Sequence, residues 1–413
     1  MSSSLRSLFT TFRDNEAFLI LCVQVFVLHI GQSLIVPILP LYAQSFSVSV
    51  TLVGFLLTMQ ALPRVFANLP AGQLADRWGA HRMLAIAAGT VTFSAVAGAL
   101  SPNYTIFLLT RLVQGVGTAI SQTAGLTYAA NVSRPESRGR HISLFQGSFL
   151  LGNSIGPIIG GTVAQYFGYR APFWVYAAMS VLVGIWMMAR LPDPRITGQV
   201  AARHKPQVNF LKSMRNMLGH SGVLWACVIG LVVAYTRSGS RDLALVLLGK
   251  NIGASESQIG LALSIIFIMN VIVLYSAGTL ADRFGSKAVI VPSLLLTGVG
   301  LWLLAIAPQY TFFLLAAGVY GLAAGISSPV PAAYVVEVVD EASQGQAMGL
   351  FRTFNDIGLV FGPALMGWIS DQAGMNTGVL VNAGVVILVA AIFFLFAPGK
   401  SEKLTMASAE THT

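Results

Sequence analysis

The chain has 413 residues, of which 55% are hydrophobic and only 9% are charged. Soluble domains carry about a quarter charged residues, so this composition excludes an ordinary water-soluble fold. The formal charge of +9 suggests nucleic acid at first sight, but the placement of the basic residues assigns it mainly to membrane topology. Cys22 and Cys227 lie in apolar stretches and offer neither a disulfide framework nor a metal-ligand spacing.

Twelve apolar segments follow one another along the chain. Each has about 19 to 27 residues, which is enough for a helix to cross a hydrocarbon core of about 30 Å. The predicted segments are 17–41, 50–74, 83–101, 104–130, 140–165, 172–190, 221–247, 257–281, 288–307, 310–336, 344–368 and 376–397. The sequence therefore predicts an all-α membrane protein with 12 transmembrane helices in two pseudo-symmetric six-helix bundles.

The links between segments are short, except for the one between the sixth and the seventh. Residues 191–220 contain five Lys and Arg and few apolar residues, so we predict a cytoplasmic linker there. It would join a bundle at 1–190 to a bundle at 221–397, which is followed by a cytoplasmic tail at 398–413.

The basic residues sort by side of the membrane. Seventeen of the 24 Lys and Arg fall in ends and links that share a side with the N-terminus, whereas only Arg170 and Lys250 fall in the opposite links. This split predicts a multi-pass protein of the cell (inner) membrane with both termini in the cytoplasm. The first segment follows a polar start and is too long for a signal-peptide core, so we expect it to be retained.

The two halves of the chain resemble each other at a single offset. Residues 72–79 (GQLADRWG) match 278–285 (GTLADRFG), which is a shift of 206. Residues 102–109 match 308–315, and Gly156-Pro157 matches Gly362-Pro363, with the same shift. A duplicated six-helix unit with a binding site between its halves is an architecture of secondary transporters.

Three motifs carry a family resemblance. They are GQLADRWGAHR at 72–82, RLVQGVG at 111–117 and GNSIGPIIGG at 152–161. Together they resemble signatures of the major facilitator superfamily, in its drug:H⁺ antiporter-like branch with twelve helices. The resemblance implies a secondary active transporter that works by alternating access, and it implicates Arg111 in proton coupling. The third motif is similar to a pattern of antiporters, which are mostly exporters; its residues here are Gly152, Gly156, Pro157, Gly160 and Gly161.

The first and third motifs also have a physical interpretation. Arg283 is followed 54 residues later by Glu337, so these two residues are expected to form a charged latch. The first-half equivalent of Glu337 is Asn131, and the latch can therefore form fully only in the second half. The predicted latch residues are Gly72, Asp76, Arg77, Gly79, Asp282, Arg283 and Glu337. The alternative is that these charges only mark topology.

The glycines of segment five and Pro157 also allow two interpretations. They fit either a kinked helix that rocks or passive tight packing.

Seven ionisable residues lie within or close to the apolar segments, where a charge usually faces an interior cavity. They are Arg64, Arg111, Arg237, Arg241, Asp242, Arg352 and Asp356. Arg352 and Asp356 are four residues apart and share a helix face, so we expect them to pair. Asp356 is the first candidate for a proton-coupling carboxylate and Asp242 the second. The predicted proton-coupling residues also include Arg352, as the partner of Asp356, and Arg111, which the family resemblance implicates. A permanent structural ion pair is the alternative.

The charges give the predicted cavity an excess of three positive charges, which favours neutral, anionic or amphiphilic cargo over cations. Its predicted lining is Gln24, His29, Gln32, Arg64, Tyr235, Arg237 and Asn270. His29 is equally compatible with a packing role. No phosphate-binding loop, nucleophile or metal cluster is evident, so we expect a proton gradient rather than a cofactor or an enzyme activity.

The favoured interpretation is a proton-coupled exporter of drugs or amphiphilic metabolites that functions as a monomer and binds no nucleic acid. Two alternatives share the fold. One is a symporter or facilitator that imports a small metabolite, and the other is a lipid flippase.

Overall fold

The structure, a computed structural model, describes residues 16–133, 138–191, 219–339 and 343–398, without the side chains of 68–70, 72, 73, 76, 138 and 275. The described residues are helical and contain no strand. In chain order the helices are α1 (Glu16–Ile35), α2 (Leu39–Gln44), α3 (Val50–Trp78), α4 (Ala80–Ala99), α5 (Tyr104–Val132), α6 (Arg138–Phe167), α7 (Ala171–Arg190), α8 (Ser221–Tyr235), a π-helix (Thr236–Ala244), α9 (Leu245–Asn251), α10 (Glu256–Phe284), α11 (Ser286–Ala305), α12 (Tyr310–Ser327), α13 (Val330–Val338), α14 (Gln344–Ala373) and α15 (Met375–Phe396).

These helices fall on the twelve predicted segments, three of which are divided: the first into α1 and α2, the seventh into α8, the π-helix and α9, and the tenth into α12 and α13. Ten helical stretches in the described part of the chain are long and apolar enough to cross a membrane. The other two predicted segments lie in α5 and α14, which have 29 and 30 residues. Both are long enough to span, but polar residues such as Arg111 and Asp356 lower their mean hydropathy. The predicted all-α transmembrane fold is confirmed.

The repeat is visible in the backbone. Helices α3 and α10 begin and end 206 residues apart, and so do α4 and α11. The described residues with a positive φ fall into three pairs with the same separation: Gly79 and Gly285, Gly168 and Gly374, and Ser47 and Gly253. Glycine is favoured there because a side chain strains this backbone conformation. The two halves thus turn at equivalent places.

Segment seven departs from the single offset that the sequence predicts. A Cβ at Gly152 would meet Phe26, His29 and Ile30, whereas a Cβ at Gly358 would meet Leu231, Ala234 and Tyr235. These partners are 205 residues apart, although the glycines are 206 apart. The second half therefore contains one extra residue between α8 and α10. The π-helix Thr236–Ala244 lies in this stretch. A π-helix takes up an inserted residue because its hydrogen bonds span five residues instead of four.

The chain separates by its contacts into two compact units. The first comprises residues 1–42 and 59–204, and the second comprises 43–58 and 205–413. Residues 43–58, which include the first turns of α3, therefore belong to the second unit, although the predicted bundle boundaries assign them to the first. Within the predicted linker and tail, residues 192–218 and 399–413 lie outside the described part.

Each unit has its own packing. In the first unit α1 packs against α6 and α7, and α4 packs against α5 and α7. Its core includes Phe18, Leu21, Tyr128, Phe145 and Met187, all at most 3% exposed. In the second unit α8 and the π-helix pack against α14, α10 packs against α12, and α11 packs against α12 and α15.

The first turn of α3 is fixed to the end of α14. The backbone N–H groups of Val50 and Thr51 donate to Asp371 Oδ1 and Oδ2 at 2.9 and 2.8 Å, and the Thr51 hydroxyl donates to Oδ2 at 2.5 Å. A carboxylate at this position satisfies N–H groups that have no partner within the helix. Asp371 therefore acts as an N-terminal cap supplied by another helix.

Candidate functional site

The glycines of the third motif form a packing face on α6. A Cβ at Gly152 would lie 2.7 Å from the Phe26 carbonyl oxygen, and Cβ atoms at Gly156 and Gly160 would overlap α1 at Ser33 and Leu34. The absence of side chains lets the two backbones approach closely. Pro157 lies inside the helix and Gly161 is buried beside it.

The same face recurs in the second unit. Gly358 and Gly362 on α14 lie against Leu231 and Ser238, in α8 and the π-helix. Close packing is therefore common to both repeats, and the glycine pattern does not by itself indicate export.

The first unit contains a cavity whose walls come from α1 and α3 to α7. Its empty volume is about 370 Å³ when the open solvent at its mouth is included. Its polar lining residues are His29, Gln32, Arg64, Thr118, Ser121 and Gln122. Its apolar lining residues are Leu28, Val91, Phe149 and Tyr176. The lining thus contains one guanidinium group and no carboxylate.

Three of the predicted cavity residues line this cavity: His29, Gln32 and Arg64. His29 Nδ1 lies 2.8 Å from the Val25 carbonyl oxygen, and its ring packs on Phe149 with the centroids 4.2 Å apart. Gln24 differs from the prediction: its side chain is wholly buried and does not line the cavity. Neither amide atom of Gln24 has a hydrogen-bond partner among the described residues.

Arg111 is wholly buried on α5 within the first unit. Its guanidinium lies 5.1 and 5.2 Å from the ring centroids of Phe107 and Phe173. It donates to the Gln114 side-chain oxygen and, at 3.2 and 3.3 Å, to the Thr110 hydroxyl. No ion pair joins Arg111 to a carboxylate of the described residues. Cation–π contacts and neutral acceptors therefore stabilise this charge.

The π-helix carries the charged cluster of the second unit. Arg241 Nε and Nη2 donate to Asp242 Oδ1 and Oδ2 at 2.7 and 3.0 Å, and the Arg241 guanidinium lies 4.7 Å from the Phe267 ring centroid. Asn382, wholly buried on α15, bonds the Thr236 hydroxyl at 3.2 Å and donates to the Ser240 hydroxyl at 2.6 Å. Sequence reasoning missed Asn382, although a lone amide in an apolar run is a recognisable signal.

The remaining candidates of the second unit are spread along three stretches. Arg352 on α14 is exposed, Asp356 is half-buried, and no ion pair joins them in the described structure, so the predicted pairing is wrong. Tyr235 and Arg237 are half-buried, the latter inside the π-helix. Asn270 is half-buried on α10, and its side-chain oxygen has no hydrogen-bond partner among the described atoms.

The predicted latch is built differently in the second unit. Glu337 accepts a hydrogen bond from the Ser286 hydroxyl at 2.9 Å and one from the Ser286 N–H at 3.4 Å. The exposed Arg283 instead stacks on Phe284, with its guanidinium 5.3 Å from the ring centroid. The predicted Arg283–Glu337 pair is therefore wrong, because the N-terminus of α11 occupies the carboxylate.

The other latch residues give less information. Asp282 and Arg77 are exposed, and Gly79 provides the positive φ that starts α4. The surroundings of Gly72 and the side chain of Asp76 lie outside what the structure describes.

Comparison with known proteins gives the family. The Major Facilitator Superfamily profile matches residues 21–240 and 229–411. The chain is 25% identical to an uncharacterized MFS-type transporter of Methanocaldococcus jannaschii, over 91% of this chain and 97% of the relative. It is 24% identical to Multidrug resistance protein 2 of Bacillus subtilis, over 86% of this chain and 88% of the relative.

A solved structure supports the same fold. The nucleoside transporter NupG, as its D323A mutant, superposes with a TM-score of 0.78 at 16% identity, covering 92% of this chain and 99% of its own. Since profile, relatives and structure agree over nearly the full length, the chain belongs to the major facilitator superfamily and is a membrane transporter.

Proposed function

We propose that this transporter is a proton-coupled exporter of drugs or of amphiphilic, neutral-to-anionic metabolites. Export is supported by one observation above all, the likeness to Multidrug resistance protein 2 of B. subtilis across 86% of the chain. The glycine pattern of α6 adds little to this assignment, because Gly358 and Gly362 pack in the same way in the second unit. The protein works as a monomer in the cell membrane with both termini in the cytoplasm.

The nature of the cargo follows from the charges. The cavity of the first unit has a guanidinium in its wall and no carboxylate. Such a wall repels cations and accepts neutral or negatively charged compounds.

Proton coupling is assigned to Asp356, and Arg111 assists it. Arg241 holds Asp242 in a two-point ion pair, which makes Asp242 the weaker candidate. Asp356 lies half-buried on a polar transmembrane helix, where an ionisable residue is costly unless it has a function.

The test is proton movement in everted vesicles on addition of a panel of neutral, anionic and cationic compounds. Antiport predicts that one class raises the pH inside the vesicles, that Asp356→Asn abolishes this response, and that Asp356→Glu retains part of it. Exchange of labelled cargo at equal pH on both sides is expected to survive in Asp356→Asn.

Other outcomes point to the alternatives. A fall of internal pH, or tracer equilibration without proton movement, would identify a symporter or a facilitator instead. An unchanged gradient-driven response in Asp356→Asn would remove this residue from the mechanism.

A further inference from the structure

Two buried amides of the first unit have hydrogen-bonding atoms that the protein does not satisfy. Gln24 on α1 is wholly buried, and neither its amide nitrogen nor its amide oxygen has a partner among the described residues. Gln114 on α5 is 1% exposed; its oxygen accepts a hydrogen bond from Arg111, but its Nε2 has no partner in the described part of the chain. A buried polar atom that stays unpaired loses its hydration without compensation, so each of these atoms requires an explanation.

The two amides lie beyond opposite ends of the cavity. On α1, Gln24 precedes the lining residue Leu28 by four residues, so it lies on the same helix face about 6 Å away along the axis. On α5, Gln114 precedes the lining residue Thr118 by the same interval. These helices are the first and the fourth predicted spanning segments, which cross the bilayer in opposite directions. One amide therefore extends the cavity at each end.

The wall between the two amides is polar on both helices. Its polar residues are His29 and Gln32 on α1, and Thr118, Ser121 and Gln122 on α5. From Arg111 through Gln114 to Thr118 and Ser121, each turn of α5 places a polar side chain on the same face. Polar side chains in the interior of a membrane bundle usually pair with one another or face a water-filled space.

The second half shows that the repeated scaffold does not require these side chains. Segment one and segment seven are related by a shift of 205, and segments four and ten by a shift of 206. The residues equivalent to Gln24, Arg111, Gln114 and Thr118 are Ile229, Ala317, Tyr320 and Ala324. Ile229 is wholly buried, so an apolar side chain packs well at the place of Gln24. The polar groups of the first unit are therefore an addition to the scaffold.

Water is the ligand that fits both amides. It donates and accepts hydrogen bonds, so it satisfies the nitrogen and the oxygen of Gln24 alike, and buried waters typically bond to polar groups that would otherwise be unpaired. An anion would leave the Gln24 oxygen unpaired. A cation would meet the donor Nε2 of Gln114 beside the guanidinium of Arg111. The cavity between the amides is open to solvent at its mouth and supplies the water.

We propose that water molecules bind at the amide of Gln24 and at Nε2 of Gln114, and that they extend the cavity into a hydrated path along α1 and α5 that ends beside Arg111. The path belongs to the first unit alone, since apolar residues and Tyr320 stand at the equivalent places of the second. It does not depend on the direction of transport or on the identity of the cargo.

The experiment is X-ray radiolysis of the purified full chain in nanodiscs, followed by mass spectrometry. Radiolysis turns water into hydroxyl radicals, which modify a buried side chain when a water molecule is bound near it. The reporter for Gln24 is Leu21, and its control is Leu34 on the same helix; both are wholly buried. We expect Leu21 to be modified about threefold or more faster than Leu34, because bound water lies one turn away from it.

The reporter for Gln114 is Phe107, whose ring packs against the guanidinium of Arg111. Its control is the repeat-equivalent Phe313, and both rings are wholly buried. We expect Phe107 to be modified about threefold or more faster than Phe313. Gln24→Leu should remove the excess at Leu21 and keep it at Phe107, and Gln114→Leu should do the opposite.

Thermal unfolding gives a second measurement at the Gln24 end. Gln24→Leu removes the amide and its bound water, so the melting temperature should fall by about 2 °C or more. Ile229→Leu places the same side chain at the equivalent position without removing an amide, so its melting temperature should fall less. The melting temperature of Gln114→Leu identifies a variant that does not fold, in which case the reporters of the unchanged protein decide.

Three results would overturn the proposal. The first is modification of Leu21 and Phe107 no faster than that of their controls. The second is faster modification at only one of them, which would exclude a path that reaches both amides. The third is a rise in the melting temperature of Gln24→Leu, because replacing an amide that has no partner by an apolar side chain of similar shape stabilises a protein.

Discussion

In the first unit Arg111 is wholly buried among aromatic rings and neutral acceptors, whereas in the second unit Arg241 lies in a two-point ion pair with Asp242. A buried charge without a counter-ion is costly, so its retention requires a strong compensating contact or a function. An ion pair offsets part of its own cost. The comparison therefore favours a functional role for Arg111 over one for the Arg241–Asp242 pair.

The two units also differ at one place in the repeat where they would be expected to agree. In the first unit a Cβ at Gly31 would lie 2.7 Å from Tyr176 Cε2, so the ring covers a bare backbone. In the second unit the equivalent residues are Thr236 and Asn382, which are hydrogen-bonded at the start of the π-helix. The extra residue of the second half thus coincides with a change from apolar packing to a polar network.

The largest expected effect comes from breaking the ion pair of the second unit. Asp242→Asn leaves Arg241 in a largely buried position without its counter-ion, which should cost about 3 kcal/mol of stability. The double variant Arg241→Gln/Asp242→Asn removes both charges and should recover most of this loss. Arg111→Met removes a cation that has no acidic partner among the described residues, so it should stay within about 1 kcal/mol of the unchanged protein.

Thermal unfolding in one detergent measures all three variants. A melting temperature of Arg111→Met as low as that of Asp242→Asn would mean that the two cations are compensated alike. The contrast between the units would then be lost.

Much of the fold could be predicted from the sequence because its signals are strong and local. Apolar runs of membrane length leave little freedom in the number of helices. Gly79 and Gly285 could be aligned because each stands in a motif of eight residues. The one-residue insertion in segment seven could not be predicted, because α8 and α1 have too little sequence similarity to reveal it.

The candidate site was harder to predict because spacing along a helix does not fix where side chains point. Arg352 and Asp356 share a face by the four-residue rule, yet Arg352 is exposed. Glu337 has an acidic side chain at the expected place, but it accepts hydrogen bonds from the N–H and hydroxyl groups of Ser286 and not from Arg283. Which donor is nearest depends on tertiary packing.

The polar network of the π-helix gives the second-largest expected effect. Asn382→Ala removes the bonds to Thr236 and Ser240 and leaves both hydroxyls without that partner, which should cost about 2 kcal/mol. Thr236→Val removes only one of the two bonds and should cost about 1 kcal/mol. The free energy of unfolding in each variant tests this order. Equal stability of Asn382→Ala and the unchanged protein would show that the network does not stabilise the inserted residue.

Loss of the Glu337 cap at the N-terminus of α11 is expected to change stability less. We expect no equivalent cap in the first half, where Asn131 stands in place of Glu337. Glu337→Gln removes the negative charge at a helix N-terminus and should cost about 1 kcal/mol, whereas Asn131→Ala, at the equivalent position, should cost less. The readout is the labelling rate of a cysteine at the exposed Phe284 or at its equivalent Trp78. We expect faster labelling at position 284 in Glu337→Gln, and equal acceleration at both positions in the two variants would argue against the asymmetry.

The N-termini of α3 and α10, which are equivalent in the repeat, are capped differently. Removing the cap of α3 should have the smallest effect on stability. Ser255 and Gln258 close a capping box at the start of α10. The equivalent of Gln258 is Leu52, so α3 cannot form this box and uses Asp371 instead. Asp371→Asn should therefore destabilise the first turn of α3 by at most about 1 kcal/mol, since the site is exposed.

Asp371 also predicts a pH dependence, because it lies three residues beyond the predicted membrane segment that ends at 368. Burial raises the pKa of Asp371, but the hydrogen bonds from Thr51 and Val50 outweigh this effect and lower it below the usual 3.8. A depressed pKa means that the cap contributes fully above pH 3.8 and is lost as the pH falls through the lower value. The difference in melting temperature between the unchanged protein and Asp371→Asn should be constant above about pH 5 and shrink in stronger acid. A difference that grows on acidification would show that the carboxylate is not the cap of α3.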